Sequence, residues 1–223
     1  MRALFTAVLL AWANMVNVAF AQQPAGTQLD VAPTTLDLKP GVAGLVYVSN
    51  HGDRPVTVHI EAMDWRQDGN RDLLSPSAEL YTSPPIVRIA PGARQSVRVM
   101  AKPPGTGERV YRLLVSELPD VAHAADGVRV LLQFSLPVFL RRDPGIAPAL
   151  SWSAQGGRLT VTNTGSQAAK LLGVALNGAA LEEQGLVYVL PGVTRDLGPL
   201  AQGGQVQARD GRSGALLSAS VAP

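Results

Sequence analysis

The stretch Val128-Arg-Val-Leu-Leu-Gln-Phe-Ser-Leu-Pro-Val-Phe-Leu140 decides the fold. Its even positions, Val128, Val130, Leu132, Phe134, Leu136, Val138 and Leu140, are all apolar. Its odd positions, Arg129, Leu131, Gln133, Ser135, Pro137 and Phe139, are mixed. That period is the one of a β-strand, whose successive side chains point to opposite faces. Proline lacks a backbone donor, so Pro137 places the strand at a sheet edge or at a bulge. An apolar edge strand pairs with whatever chain it meets unless something covers it. A conflict of this kind between local sequence and solubility marks a functional site.

Outward from it, short apolar runs alternate with turn clusters at the spacing of a β-sandwich. On the N-terminal side, strands are expected over 29–38 (broken near Pro33), 44–50, 56–65, 85–89, 95–102 and 108–118. Residues 67–76 read as a polar loop. On the C-terminal side, Arg141-Arg142-Asp143-Pro144-Gly145 breaks the pattern, and the domain boundary is placed there, between 22–143 and 144–223. The second part holds six expected strands, over 150–153, 158–162, 170–176, 186–190, 205–209 and 216–221. Thr164-Gly165, Asn177-Gly178, Pro191-Gly192 and Asp210-Gly211 punctuate them. No internal repeat is read from the sequence. The expectation is an all-β chain of two sandwich domains.

The 223-residue composition agrees. With 22 Gly and 17 Pro the chain carries too much turn chemistry for a helical bundle. With 46% hydrophobic and 16% charged residues it is too apolar for a disordered one. Arg2, the apolar run from Ala3 to Trp12 and the small-x-small site Ala19-Phe20-Ala21 read as a secretory signal peptide, residues 1–21, cut before Gln22. Asn14 and Asn17 interrupt the run, which disfavours a membrane anchor. The net charge of +2 loses Arg2 with the signal, and the remaining arginines are scattered, so nothing points to nucleic acid.

Chemistry is sparse. The chain has no cysteine, which excludes disulfides, thiolate nucleophiles and iron–sulfur ligation. It has three histidines and no H-E-x-x-H pattern. Gly211-Arg212-Ser213-Gly214 lacks the last glycine of a nucleophile elbow and reads as a hairpin turn. Glu182 and Glu183 are neighbours in an extended chain and face opposite ways, which suits a solvated loop rather than a paired acid and base. His59 falls on the more polar face of its strand. No cofactor, metal or enzymatic activity is expected.

The strand motifs, taken in order, resemble the PapD-like periplasmic chaperones of chaperone–usher pilus assembly. The resemblance is carried by Val31-Ala-Pro-Thr-Thr-Leu-Asp-Leu, Val48-Ser-Asn-His-Gly, Asp64-Trp65, Ser83-Pro-Pro-Ile-Val-Arg-Ile-Ala-Pro-Gly, Ser96-Val-Arg-Val, Glu108-Arg-Val-Tyr-Arg-Leu-Leu-Val-Ser-Glu-Leu-Pro and the apolar strand above. The second domain matches loosely, mainly around Asp210. The resemblance implies two immunoglobulin-like domains in a boomerang, located in the periplasm. It implies that the chain lends an edge strand to pilus subunits, a form of β-augmentation, and hands them to an outer-membrane usher. The implied donor residues are Val128, Val130, Leu132 and Phe134. Free chaperone would also be able to self-associate through that edge.

The resemblance further implies an interdomain network, matched here to Arg98, Glu108 and Asp210. Relatives anchor the subunit's C-terminal carboxylate with an Arg and a Lys, and the corresponding positions here are Thr35 and Pro137, which form no charge-assisted bond. Arg88, Arg112 and Arg141 are the candidate replacements. This departure, with Ser135-Leu-Pro-Val-Phe in the donor strand, looks like the divergent archaic or alternative branch, whose partners include spore-coat-U-like subunits. Two other readings are a secreted structural or adhesive subunit and a carbohydrate-binding module. The first needs an apolar N-terminal donor extension that 22–28 lacks. The second needs aromatic platforms, and beyond the signal the only tryptophans are Trp65 and Trp152.

Overall fold

The computed structural model describes residues 28–103, 107–120, 130–141, 148–181, 185–200 and 203–222. The expected signal peptide, Val128, the boundary at 143/144 and the Glu182-Glu183 pair lie outside the described residues. The described chain is all β.

The first domain holds β1 (Leu29–Ala32), β2 (Leu36–Leu38), β3 (Gly44–Asn50), β4 (Val56–Asp68), β5 (Arg71–Pro76), β6 (Leu80–Ser83), β7 (Ile86–Ile89), β8 (Arg94–Ala101), β9 (Arg109–Glu117) and β10 (Gln133–Leu140). One sheet runs β1-β3-β8-β6, and the other runs β2-β10-β9-β4-β5 with β7 also on β4. Alternation decides which side chains meet between them. Val46, Val48, Val97 and Val99 from the first sheet close on Val58, Ile60, Leu113, Val115 and Val138 from the second. The break at Pro33 is real: β1 pairs with β3 in one sheet, and β2 crosses to pair in parallel with β10 in the other.

The second domain holds β11 (Leu150–Gln155), β12 (Arg158–Asn163), β13 (Ala169–Leu176), β14 (Ala179–Ala180), β15 (Leu186–Val189), β16 (Thr194–Pro199), β17 (Gly204–Asp210) and β18 (Leu216–Val221). Its sheets are β11-β12-β16 and β14-β13-β17-β18 with β15 on β13. Leu159, Val161, Leu171, Val174, Val189 and Val206 fill the space between them.

Three expectations need correction. Residues 67–76 are not a loop: β4 runs on to Asp68 and β5 returns, with Asp68 opposite Arg71 across Gly69-Asn70. Gly69 takes a positive φ of 55°, which a two-residue hairpin turn demands. Among the described residues the apolar strand spans Gln133–Leu140, and the expected stretch 130–132 lies before it. The strands β6, β14 and β16 have no counterpart in the sequence reading, because they are short or carry Gly and polar residues in place of an alternating apolar row.

The two domains also share a device that the sequence reading missed. Asn50, fully buried at the end of β3, donates through Nδ2 to the carbonyls of Arg54 (2.7 Å) and Ile89 (3.1 Å) and accepts the Gly52 N–H (3.0 Å). Asn163, fully buried at the end of β12, does the same with Gln167 (2.7 Å), Val189 (2.9 Å) and Gly165 (3.0 Å). The sequence signal is Val48-Ser-Asn-His-Gly52 with Ile89-Ala-Pro-Gly92, against Val161-Thr-Asn-Thr-Gly165 with Val189-Leu-Pro-Gly192. The two halves of the motif are 39 residues apart in one domain and 26 in the other, which hides the repeat. Each amide ties a turn to a neighbouring strand by satisfying buried backbone carbonyls. Asn50→Ala and Asn163→Ala are each expected to cost about 2–4 kcal/mol, since each orphans two carbonyls and an N–H. Urea unfolding measures this, and a loss below about 0.5 kcal/mol in either variant would show that the amide is replaceable.

Candidate functional site

The open edge is the first element of the site. β10 pairs along its whole length with β9, from Gln133 opposite Ser116 to Leu140 opposite Arg109. On its other side β2 pairs only with Val138, Phe139 and Leu140. The Glu117 N–H donates to the Leu132 carbonyl at 2.8 Å, which makes those two residues a hydrogen-bonded pair. Alternation along the ladder then turns the backbone groups of Phe134 and Leu136 toward β9 and those of Gln133 and Ser135 away from it. No strand among the described residues meets Gln133 or Ser135 on that side. Pro137 offers no donor there, as an edge proline should.

The even row divides in two. Leu136, Val138 and Leu140 belong to the core of their own domain. Phe134 is half-buried against that core, Leu132 is half-buried, and Val130 is 76% exposed. Leu131, on the opposite face, is 40% exposed. Three of the expected donor residues thus form an apolar row that leaves the core and continues past it, beside an open backbone edge.

The second element is the interface between the domains. On the outer face of the β10 sheet, Trp65 and Phe139 pack against Ala168, Tyr188 and Leu190 of the second domain. Trp65 meets the Tyr188 ring edge-on at 5.4 Å. Beside this cluster lies Glu108, its side chain 0% exposed. One carboxylate oxygen pairs with Arg141 Nε and lies 3.5 Å from Arg212 Nη2, and the other accepts the Ala168 N–H at 2.5 Å. Arg141, 5% exposed, also pairs with Asp37.

The expected network is therefore corrected in one member. Glu108 is at its centre. Arg98 is not in it, because β8 belongs to the other sheet and the Arg98 side chain is exposed on it, opposite Leu45 and Ser83. Arg141 takes that role. Asp210 acts one step removed: its carboxylate accepts the N–H groups of Arg212 and Ser213, each at 2.8 Å, and so shapes the turn that presents Arg212. Burial would raise the Asp210 carboxyl, but these bonds from Ser213 and Arg212 and the Arg212 charge hold it below the usual carboxylate range. Burial and the adjacent Arg141 charge pull the Arg212 guanidinium down, against Glu108, Asp37 and Asp210.

The third element is a cleft of about 440 Å³ lined by Thr35, Asp37, Lys39, Arg141, Lys170 and Arg212, with Leu38, Phe139 and Gly211. It lies along β2 and the last residues of β10, just past the free part of the edge. Gly211 lets the Lys170 stem lie flat, since a Cβ there would come within 2.6 Å of Lys170 Cγ. Of the three candidate anchors, Arg141 alone lines this cleft. Arg112 stacks on Trp65, 3.8 Å from the ring centre, and reaches Asp72 at 3.4 Å. Burial lowers its affinity for its proton, and Asp72 opposes that. Arg88 is exposed on β7 opposite Thr57, beyond β4 and far across the sheet from β10. Lys39, Lys170 and Arg212 were missed because the topology, not the sequence, brings them to one place. Among the described residues no cluster of His, Asp and Glu could hold a metal ion, and no helix is long and apolar enough to cross a membrane.

Comparison with known proteins bears on the family and the fold. The model of the pili and flagellar-assembly chaperones, PapD N-terminal domain, matches residues 28–144. No curated protein matches. Among solved structures, the chain resembles one from the CsuC–CsuE chaperone–tip adhesion subunit pre-assembly complex of the archaic chaperone–usher Csu pili of Acinetobacter baumannii, with TM-score 0.69 and 22% identity over 87% of this chain and 98% of that one. It also resembles the E. coli chaperone DraB, with TM-score 0.67 and 19% identity over 87% of this chain and 95% of that one. A third is the Salmonella enterica SafA pilin in complex with the SafB chaperone, with TM-score 0.69 and 19% identity over 86% and 96%. At these identities the likeness establishes a common fold, two immunoglobulin-like sandwiches. With the match over its first domain, the chain belongs to the family of pili and flagellar-assembly chaperones.

Proposed function

We propose that this chaperone acts in the periplasm and caps pilus, fimbrial or spore-coat-U-like subunits by donor-strand complementation, then delivers them to an outer-membrane usher. The observation that carries this reading is the open edge of β10 with Val130, Leu132 and Phe134 beside it. A subunit strand added along Gln133 and Ser135 would satisfy the free backbone groups, and the three apolar side chains would enter its groove. Fully burying each contributes about 1.5–3 kcal/mol gross, and ordering and association take back a large part. Val128 and Arg129 extend the row in sequence. The role is mechanical and requires no covalent step.

The cleft suits the end of the captured strand. Relatives hold a C-terminal carboxylate with charges that this chain lacks at Thr35 and Pro137. Lys170 and Lys39, with Arg141 and Arg212 behind them and Asp37 beside them, would meet the carboxylate of an added strand that ends in this cleft. Arg141 and Arg212 are already committed to Glu108, so the two lysines are the freer donors. The match to an archaic pre-assembly complex is consistent with the divergent branch of the family.

The test is a pull-down of the full-length protein from the periplasm of its source cells, with mass spectrometry of what co-purifies. Small β-rich secreted subunits in equal amount with the chaperone are expected. Val130→Lys should lower the affinity for them by roughly 100-fold, as apolar burial is lost and a charge must be buried. Equal binding by this variant would sink the donor-strand reading. Lys39→Ala/Lys170→Ala should weaken binding by about 1.5–3 kcal/mol, the worth of a hydrogen bond to a charged group. Calorimetry with the recovered subunit would measure that, and an unchanged affinity would move the anchor elsewhere.

A further inference from the structure

The β4–β5 hairpin reaches out of the first domain and touches the second with two side-chain amides. Gln67 Nε2 donates to the Tyr188 carbonyl at 3.1 Å, and its Oε1 accepts the Leu190 N–H at 2.9 Å. A strand's C=O at one residue and its N–H two residues on point the same way, so this amide occupies the place of a peptide group in a neighbouring strand. Asn70 repeats the device: its Nδ2 donates to the Asp196 carbonyl at 2.7 Å and its Oδ1 accepts the Asp196 N–H at 2.8 Å. Arg158 and the Gly198 N–H hold the Asp196 carboxylate away from the hairpin. The edges being capped are those of β15 and β16, which end their sheets on that side. Around these contacts Asp72 lies 3.4 Å from Arg112 of the first domain and 3.5 Å from Arg195 of the second.

We infer that Gln67 and Asn70 are positioning residues that fix the angle between the two domains. The donor edge belongs to the first domain, whereas Lys170 and Arg212 of the cleft belong to the second. The interdomain angle therefore sets the span between the apolar row and those two side chains, and with it the register in which a strand can be held. This functional consequence rests on the donor-strand reading. The geometric claim does not.

The absence of cysteine makes the geometry directly measurable. Ser96→Cys and Ser218→Cys, one exposed position per domain, carry spin labels in the full chain, and pulsed electron resonance gives the distance distribution. The reference should be narrow. Gln67→Ala/Asn70→Ala should broaden it roughly twofold or more, because domains without a firm interface move relative to one another. Asn70→Ala alone should give an intermediate width. Asn50→Ala serves as a control that destabilises without loosening the interface, and its distribution should stay narrow. An unchanged width in the double variant overturns the clasp. A broadened width with undiminished capture of periplasmic subunits overturns the positioning role and leaves the donor-strand reading intact. If the parent chain captures no subunit, the donor-strand reading fails, and the distance measurement still decides the clasp.

Discussion

A single buried carboxylate, that of Glu108, joins the two sandwiches. It has no exposure to solvent and is met by Arg141 from the end of β10, by Arg212 from a turn of the second domain and by the Ala168 N–H. A buried charge is tolerated only when it is paired and hydrogen-bonded, and removing one partner of such a pair typically costs about 3–5 kcal/mol. The attraction need not add net stability to have an effect. It penalises any arrangement of the domains that leaves the carboxylate dry and unpaired. The aromatic cluster of Trp65, Phe139 and Tyr188 supplies apolar area on the same interface, and the hairpin amides close its far side.

The strands that alternate were legible in the sequence. β3, β8, β9 and the second half of β10 follow from rows of apolar residues at every other position, because half-buried strands have no other way to form a core. The hairpin of β4 and β5 was not legible, because every residue of β5 is exposed and an exposed strand leaves no hydrophobic signature. Arg98 and Arg141 illustrate a different limit. Arg98 sits inside a strand and Arg141 follows an apolar run, and a motif match at this divergence does not say which arginine turns toward Glu108. Only the sheet assignment does: β8 and β10 lie in different sheets. The cleft was half visible. Thr35 and Pro137 marked where the familiar charges are missing, but Lys39, Lys170 and Arg212 are distant in sequence and converge only when the second domain is in place.

The repeated asparagine corner is legible in hindsight as V-x-N-x-G followed by a P-G turn. Its two appearances are hidden by unequal spacing, since the first domain inserts the long β4–β5 hairpin and β6 between them. The two halves of this chain share local chemistry where a buried amide must satisfy backbone groups, and they differ where they meet each other.

Pro137 has one more effect. β2 runs parallel to β10 and begins at Leu36, opposite Val138. To lengthen by a single residue it would have to pair Thr35 with Pro137, which has no N–H to give on that side. The proline thus marks where the paired part of that edge stops: beyond it β10 pairs with β2, and before it no strand among the described residues covers the edge. On that edge the stop is a missing hydrogen atom.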